Sequence, residues 1–184
     1  MRNILSALLL TLVLAACNSK PAPEYAVAAD WTLTTAGGQA LTLSNAAAER
    51  PVILFFWATW CPYCKALMPH LQSMRLEYGD AIEILAVSIF EDGDPVKFIE
   101  TAGYDFTLLP EGDAVAEMYE VTGTPGVFVV DRARAIRFDM RDLPSIDPPD
   151  TGKKPSHGRK AAFRAPYWAA EVRKAIDSVL RDPE

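Results

Sequence analysis

Val52-Ile53-Leu54-Phe55-Phe56-Trp57 runs through Ala58-Thr59-Trp60 into Cys61-Pro62-Tyr63-Cys64. Six consecutive apolar, β-favouring residues predict a strand buried on both faces. Beyond Cys64, Leu67, Leu71 and Met74 recur at helical spacing, so the cysteine pair lies where strand gives way to helix. The first N–H groups of a helix lack intrahelical partners, and the helix dipole is positive there. A thiolate on Cys61 gains from both, which should bring its pKa below the value of about 8.5 for free cysteine. Pro62 falls in the first turn, where its missing N–H costs nothing. Cys64, three residues on, faces the same side, so the two sulfurs can bridge. Cys61 is the candidate nucleophile toward a substrate disulfide, and Cys64 the thiol that resolves the mixed disulfide. Tyr63, between the cysteines, and Trp60, before them, are candidate substrate contacts, whereas Trp57 belongs to the core.

Outward from this motif, strands alternate with helices. Trp31-Thr32-Leu33 and Leu41-Thr42-Leu43 flank Ala36-Gly37-Gly38-Gln39 and predict a hairpin. Ile82 to Ile89 is a second buried strand. Asp94-Pro95 opens a helix carrying Val96, Phe98 and Ile99 that stops near Gly103. Phe106 to Leu109 is a short extended piece and Ala114 to Tyr119 a short helix. Val127 to Val130 and Ala135 to Met140 form a pair of strands. Trp168, Val172, Ile176 and Val179 give a last amphipathic helix. This is an α/β chain built around one sheet. Residues 142–165, with four prolines, form a long loop before the last helix.

The chain has 184 residues, 50% of them apolar and 23% charged, with net charge −6. That balance suits one soluble domain and excludes a disordered acidic tail or a polytopic membrane protein. It offers nucleic acid no basic stripe, so no nucleic-acid partner is expected. Residues 132–184 hold 12 of the 18 Lys and Arg but only 8 of the 24 Asp and Glu. This part is a solvated face, or a docking surface for an acidic partner or anionic lipid headgroups. Three cysteines cannot build a disulfide scaffold. The Cys61–Cys64 spacing has other uses. Zinc would need two more ligands, and only His70 and His157 are on offer. A copper-binding module could take both thiolates and His157. A structural disulfide closing so short a loop gains little entropy. A tethered adaptor without catalysis, acting through the basic C-terminal region, is a further alternative.

The N-terminus bears on compartment. Arg2 precedes an apolar run from Ile4 to Val13, and Leu14-Ala15-Ala16-Cys17 follows. The run has the length of a secretory leader and is shorter than the roughly 20 residues of a spanning helix. Small residues before a cysteine resemble the bacterial lipobox. That resemblance implies a signal peptide at 1–16, lipid on Cys17 and a flexible tether over 17–29, ahead of a domain at 30–184. It places the protein on the periplasmic side of a bacterial membrane, with Asn18 after the lipidated residue favouring the outer membrane. An exported compartment permits disulfides. Loss of Arg2 with the leader would take the net charge from −6 to −7.

The segment from Phe55 to Lys65, with Trp60-Cys61-Pro62-Tyr63-Cys64 at its centre, resembles the active-site segment of the thioredoxin superfamily. Pro69 matches the proline inside the helix that follows, and Gly123-Thr124-Pro125-Gly126 resembles the family's cis-proline loop. The element order from about Asp30 to Met140 is similar to the TlpA-like branch of exported, membrane-tethered thiol–disulfide oxidoreductases. The resemblance implies a central mixed β-sheet flanked by helices, with Thr124 and Pro125 as a platform where an extended substrate adds as a strand. It implies protein thiols and disulfides as substrates, a reductant role, a separate partner that recycles the pair, and no organic cofactor. Three features depart from the pattern. The buried aspartate that thioredoxin carries six residues before the first cysteine is Phe55 here. The glutamate that some relatives carry three residues after the second cysteine is Leu67. Glu91 and Asp92 are the acids nearest in the expected fold. The third departure is the proline-rich segment after Met140.

Overall fold

The computed structural model describes residues 25–181; the leader, Cys17, Asn18 and most of the tether lie outside the described residues. Strands β1 (Thr32–Thr34) and β2 (Ala40–Thr42) form the N-terminal hairpin, a two-stranded antiparallel sheet of its own. Helix α1 (Leu43–Glu49) follows directly, then β3 (Val52–Trp57), α2 (Pro62–Tyr78), β4 (Glu83–Ser88) and α3 (Pro95–Ala102). The order continues with β5 (Thr107–Leu109), α4 (Asp113–Met118), β6 (Gly126–Val130), β7 (Ile136–Asp139) and α5 (His157–Arg181). The main sheet has the order β5-β4-β3-β6-β7. Strands β3, β4 and β5 are parallel, while β6 pairs antiparallel with both β3 and β7, so the sheet is mixed as expected.

The two-residue period of β3 divides the core. Ile53, Phe55 and Trp57 point toward α2 and α5, where they meet Leu67, Met68, Leu71, Val172 and Ile176. Val52, Leu54 and Phe56 point the other way, toward Trp31, Leu43, Ala47, Val115 and Tyr119. All six β3 side chains are therefore inaccessible, each contributing about 1.5–3 kcal/mol as a large apolar group removed from water. β3 is thus a rigid rod whose C-terminal end is fixed from both sides. Among the described residues no helix is long and apolar enough to cross a membrane.

The segment 142–165 is not one loop. It is irregular from Leu143 to Ser156, and α5 begins at His157, well before Trp168. The early turns of α5 face the core with Ala161, Ala165 and Ala169, residues too small to stand out in a hydrophobic pattern. Pro166 lies inside the helix, where a proline normally signals a boundary. The irregular stretch is tied back onto this helix. Arg164 donates from Nε to Ile146 O (2.7 Å) and from Nη2 to Asp147 Oδ1 (2.9 Å), and Lys160 pairs with the same carboxylate (3.3 Å).

Candidate active site

Parallel β3 and β4 end at the same edge of the sheet, so the loops that follow them meet. Ile89 N–H donates to Trp57 O (2.9 Å), and Cys61 N–H donates to Ala58 O (3.2 Å). Glu91 holds the approach to the cysteines. Its carboxylate accepts from Thr59 N–H (2.9 Å), Ser88 Oγ (3.0 Å) and Gly93 N–H (3.0 Å), and from the Thr59 hydroxyl. Gly93 is needed for this closeness, because a Cβ there would overlap Thr59 Oγ1. Trp60 Nε1 donates to Phe90 O, and Phe90 N–H donates to Asp113 Oδ1, both at 2.7 Å. Phe90 is held at φ 52°, in the left-handed region that bulky residues seldom adopt. Trp60 and Phe90 remain 48% and 44% exposed, whereas Trp57 is fully buried.

Cys61 is the N-cap of α2 and Pro62 opens the helix. Cys61 and Cys64 are joined as a disulfide, with Cα atoms 5.3 Å apart. Cys61 Sγ accepts a hydrogen bond from Cys64 N–H at 3.0 Å, the contact that would stabilise charge on that sulfur. Cys61 is 1% exposed and Cys64 is inaccessible, so Trp60 and Pro62 form the open rim above a covered sulfur pair.

Thr124–Pro125 is a cis peptide. Gly126 pairs with Phe56, so Pro125 sits beside the end of β3, the same end that leads into Cys61. Thr124 Oγ1 is buried without a hydrogen-bond partner among the described residues. Tyr63 does not point into open solvent. Its ring lies against Trp168 (6.1 Å) and His157 (6.0 Å), the Arg164 guanidinium lies 5.8 Å from it, and its hydroxyl is 3.3 Å from His157 Nδ1. The start of α5 therefore belongs to the site. No signal in the sequence places it there, because its anchor residues fall inside the proline-rich segment. The structure also brings Lys65 Nζ to 5.4 Å from the Phe98 ring centre. His157, the third ligand of the copper alternative, meets Tyr63 instead, and among the described residues no three His, Cys, Asp or Glu side chains are grouped to hold a metal ion. Much of the positive charge in the C-terminal part is paired locally, Arg137 with Asp131, Arg141 with Asp139 and Arg173 with Glu77.

Phe55 and Leu67, the two positions at which the chain departs from the expected pattern by lacking an acid, are fully buried and apolar. Glu91 is not an idle loop residue, but neither is it poised to exchange a proton. Partial burial pushes its pKa up; the hydrogen bonds from Thr59, Gly93 and Ser88 outweigh burial and hold it below the usual glutamate range. The folded chain thus keeps this carboxylate ionised where the unfolded chain protonates it. Its contribution to stability is complete above the unfolded value of about 4.3 and is lost as pH falls through the lower folded value. Glu91→Gln should be less stable than wild type in urea unfolding at about pH 7, with the gap narrowing below about pH 4. A gap that stays constant across that range would contradict the assignment.

Residues 25–139, more than half of the chain, match the AhpC/TSA family. The chain is 29% identical over 114 residues to the thioredoxin-like protein YneN of Bacillus subtilis, covering 60% of this chain and 66% of that protein. It is 34% identical over 108 residues to the thiol-disulfide oxidoreductase ResA of Geobacillus kaustophilus, covering 57% of this chain and 62% of that protein. The chain thus spans less than two thirds of the length of these relatives. A solved structure provisionally named thiol:disulfide interchange protein DsbE, from Chlorobium tepidum, superposes with a TM-score of 0.65 at 23% identity, over 86% of this chain and 98% of that one. The likeness is one of fold: a thioredoxin-like sheet with its helices. On the extent of the family match and this fold, the chain belongs to the AhpC/TSA family.

Proposed function

We propose that this protein is a thiol–disulfide oxidoreductase of the bacterial envelope that reduces protein disulfides. The observation that carries the reading is the position of Cys61. It caps α2, accepts the N–H of Cys64, and has that second sulfur already within bonding reach. In the reduced state the Cys61 thiolate attacks one sulfur of a substrate disulfide. That S–S bond breaks, and the departing substrate thiolate takes a proton from solvent. The Cys64 thiolate then attacks Cys61 Sγ, which releases the second substrate thiol and leaves Cys61–Cys64 bridged. Two electrons pass to the substrate, and a partner dithiol must return them. No organic cofactor is needed, because the sulfur pair carries both electrons. Trp60, Pro62 and Tyr63 contact the substrate from the cysteine loop, and Thr124 with Pro125 receives its backbone. Relatives named thiol-disulfide oxidoreductase support the same chemistry. The leader and lipidation motif support export and tethering through Cys17 on the periplasmic side of the membrane, the outer one by Asn18.

Cys64→Ser should accumulate mixed disulfides through Cys61 in the envelope, seen as dithiothreitol-sensitive bands on non-reducing gels and absent from Cys61→Ser. If none form while wild-type protein turns over insulin disulfides, this order of attack is wrong. The direction is set by potential, since related folds with this spacing range from roughly −270 to −120 mV. Equilibration against a dithiothreitol couple should place Cys61–Cys64 near the reducing end; a value near the oxidising end contradicts the reductant role.

A further inference from the structure

Residues 151–170 hold five Lys and Arg and no Asp or Glu, in a chain of net charge −6. The run covers the end of the irregular segment and the first turns of α5. Two of its cations are held by the fold: Lys160 (3.3 Å) and Arg164 (2.9 Å) share Asp147. The other three, Lys153, Lys154 and Arg159, are exposed and make no ion pair among the described residues. The Arg159 guanidinium donates to Thr151 Oγ1 (3.2 Å), and the acid nearest in sequence, Asp150, accepts Gly152 N–H (2.8 Å). A face that is merely solvated normally mixes charges of both signs, and this one does not.

Apolar surface lies in the same place. Phe163 stands one turn on from Arg159, on the same face of α5, and is 41% exposed. Ala162 and Pro166, beside it, are exposed as well. Cations next to an uncovered aromatic on a helix face are the pattern of a segment that lies on a lipid surface. The phenyl ring enters the acyl boundary while the charges meet anionic headgroups. An acidic polypeptide would use the cations and leave Phe163 without a role.

Reach favours the same occupant. Eight residues separate Cys17 from Tyr25, at most about 29 Å of extended chain. A folded unit of this size is roughly 40 Å across. With lipid on Cys17 the domain cannot move a full diameter from the bilayer, so a weak electrostatic contact acts at high effective concentration. We propose that Lys153, Lys154, Arg159 and Phe163 form a docking surface for the anionic lipid headgroups of the membrane that holds the tether. The proposal rests on the tethering reading above and adds to it which face meets the bilayer. His157 Nδ1 is 3.3 Å from the Tyr63 hydroxyl, so this face borders the cysteine loop, and docking brings Cys61 close to the membrane surface.

The protein as extracted from cells, reconstituted into vesicles and followed by hydrogen–deuterium exchange with mass spectrometry, provides the test. Amides of residues 151–163 should exchange at least about threefold more slowly on vesicles with roughly one third phosphatidylglycerol than on pure phosphatidylcholine. The protection should vanish in about 0.5 M NaCl, where charges are screened within a few Å. It should vanish also in Lys153→Glu/Lys154→Glu/Arg159→Glu, with exchange in β3 and β4 unchanged as the check on the fold. Equal exchange on both vesicles, or protection that survives the triple substitution, overturns the surface. Protection by soluble polyglutamate, with none from phosphatidylglycerol vesicles, assigns the face to an acidic protein and overturns the lipid. The intact mass reports the tether separately: a chain without lipid on Cys17 overturns the tethering reading and the proposal with it.

Discussion

The hydrogen bond from Cys64 N–H to Cys61 Sγ is the contact on which the site depends. It exists because a helix must begin within a few residues of where β3 ends. Pro62 can open that helix without losing a bond, and the Cys64 N–H of its first turn then donates to the sulfur that caps it. Everything around this point limits movement. β3 is packed on both faces, Ala58 O receives the Cys61 N–H, and Glu91 clamps Thr59. A sulfur whose electrostatics come from backbone dipoles needs its backbone held, and the two core layers hold it.

The surroundings have two different characters. On one side, Trp60 and Phe90 stand exposed, fixed by hydrogen bonds from Trp60 Nε1 and to Asp113. On the other, half-buried Tyr63 packs against Trp168, His157 and Arg164. Phe55 and Leu67, buried in the same core cluster as the cysteines, are apolar, and the Glu91 carboxylate is committed to holding a loop. Proton exchange with Cys64 therefore has no dedicated side chain at either familiar position.

Much of this was legible from residue pattern alone. The apolar run at Val52–Trp57 matches β3 residue for residue, because a strand covered on both faces has no other way to read. The loop at Gly123–Gly126 was legible through its resemblance to the cis-proline loop of the thioredoxin superfamily, and Thr124–Pro125 is cis. Other elements were hidden for physical reasons. Helix α1 takes Leu43 from the hairpin pattern and continues with alanines, which carry no periodicity. The first turns of α5 are hidden the same way, by Ala161 and Ala165, with Pro166 pointing to the wrong boundary. Glu91 and the contacts of Tyr63 depend on partners 32 and 94 residues away, which no local pattern encodes.

The most direct measurement is the ionisation of Cys61 in the reduced protein. The rate of alkylation by iodoacetamide, followed against pH with the labelled residue located by mass spectrometry, reports it. The account predicts a midpoint clearly below the value of about 8.5 for a free thiol. A midpoint at or above that value would show that the start of α2 does not stabilise the thiolate, and would contradict the account at its base.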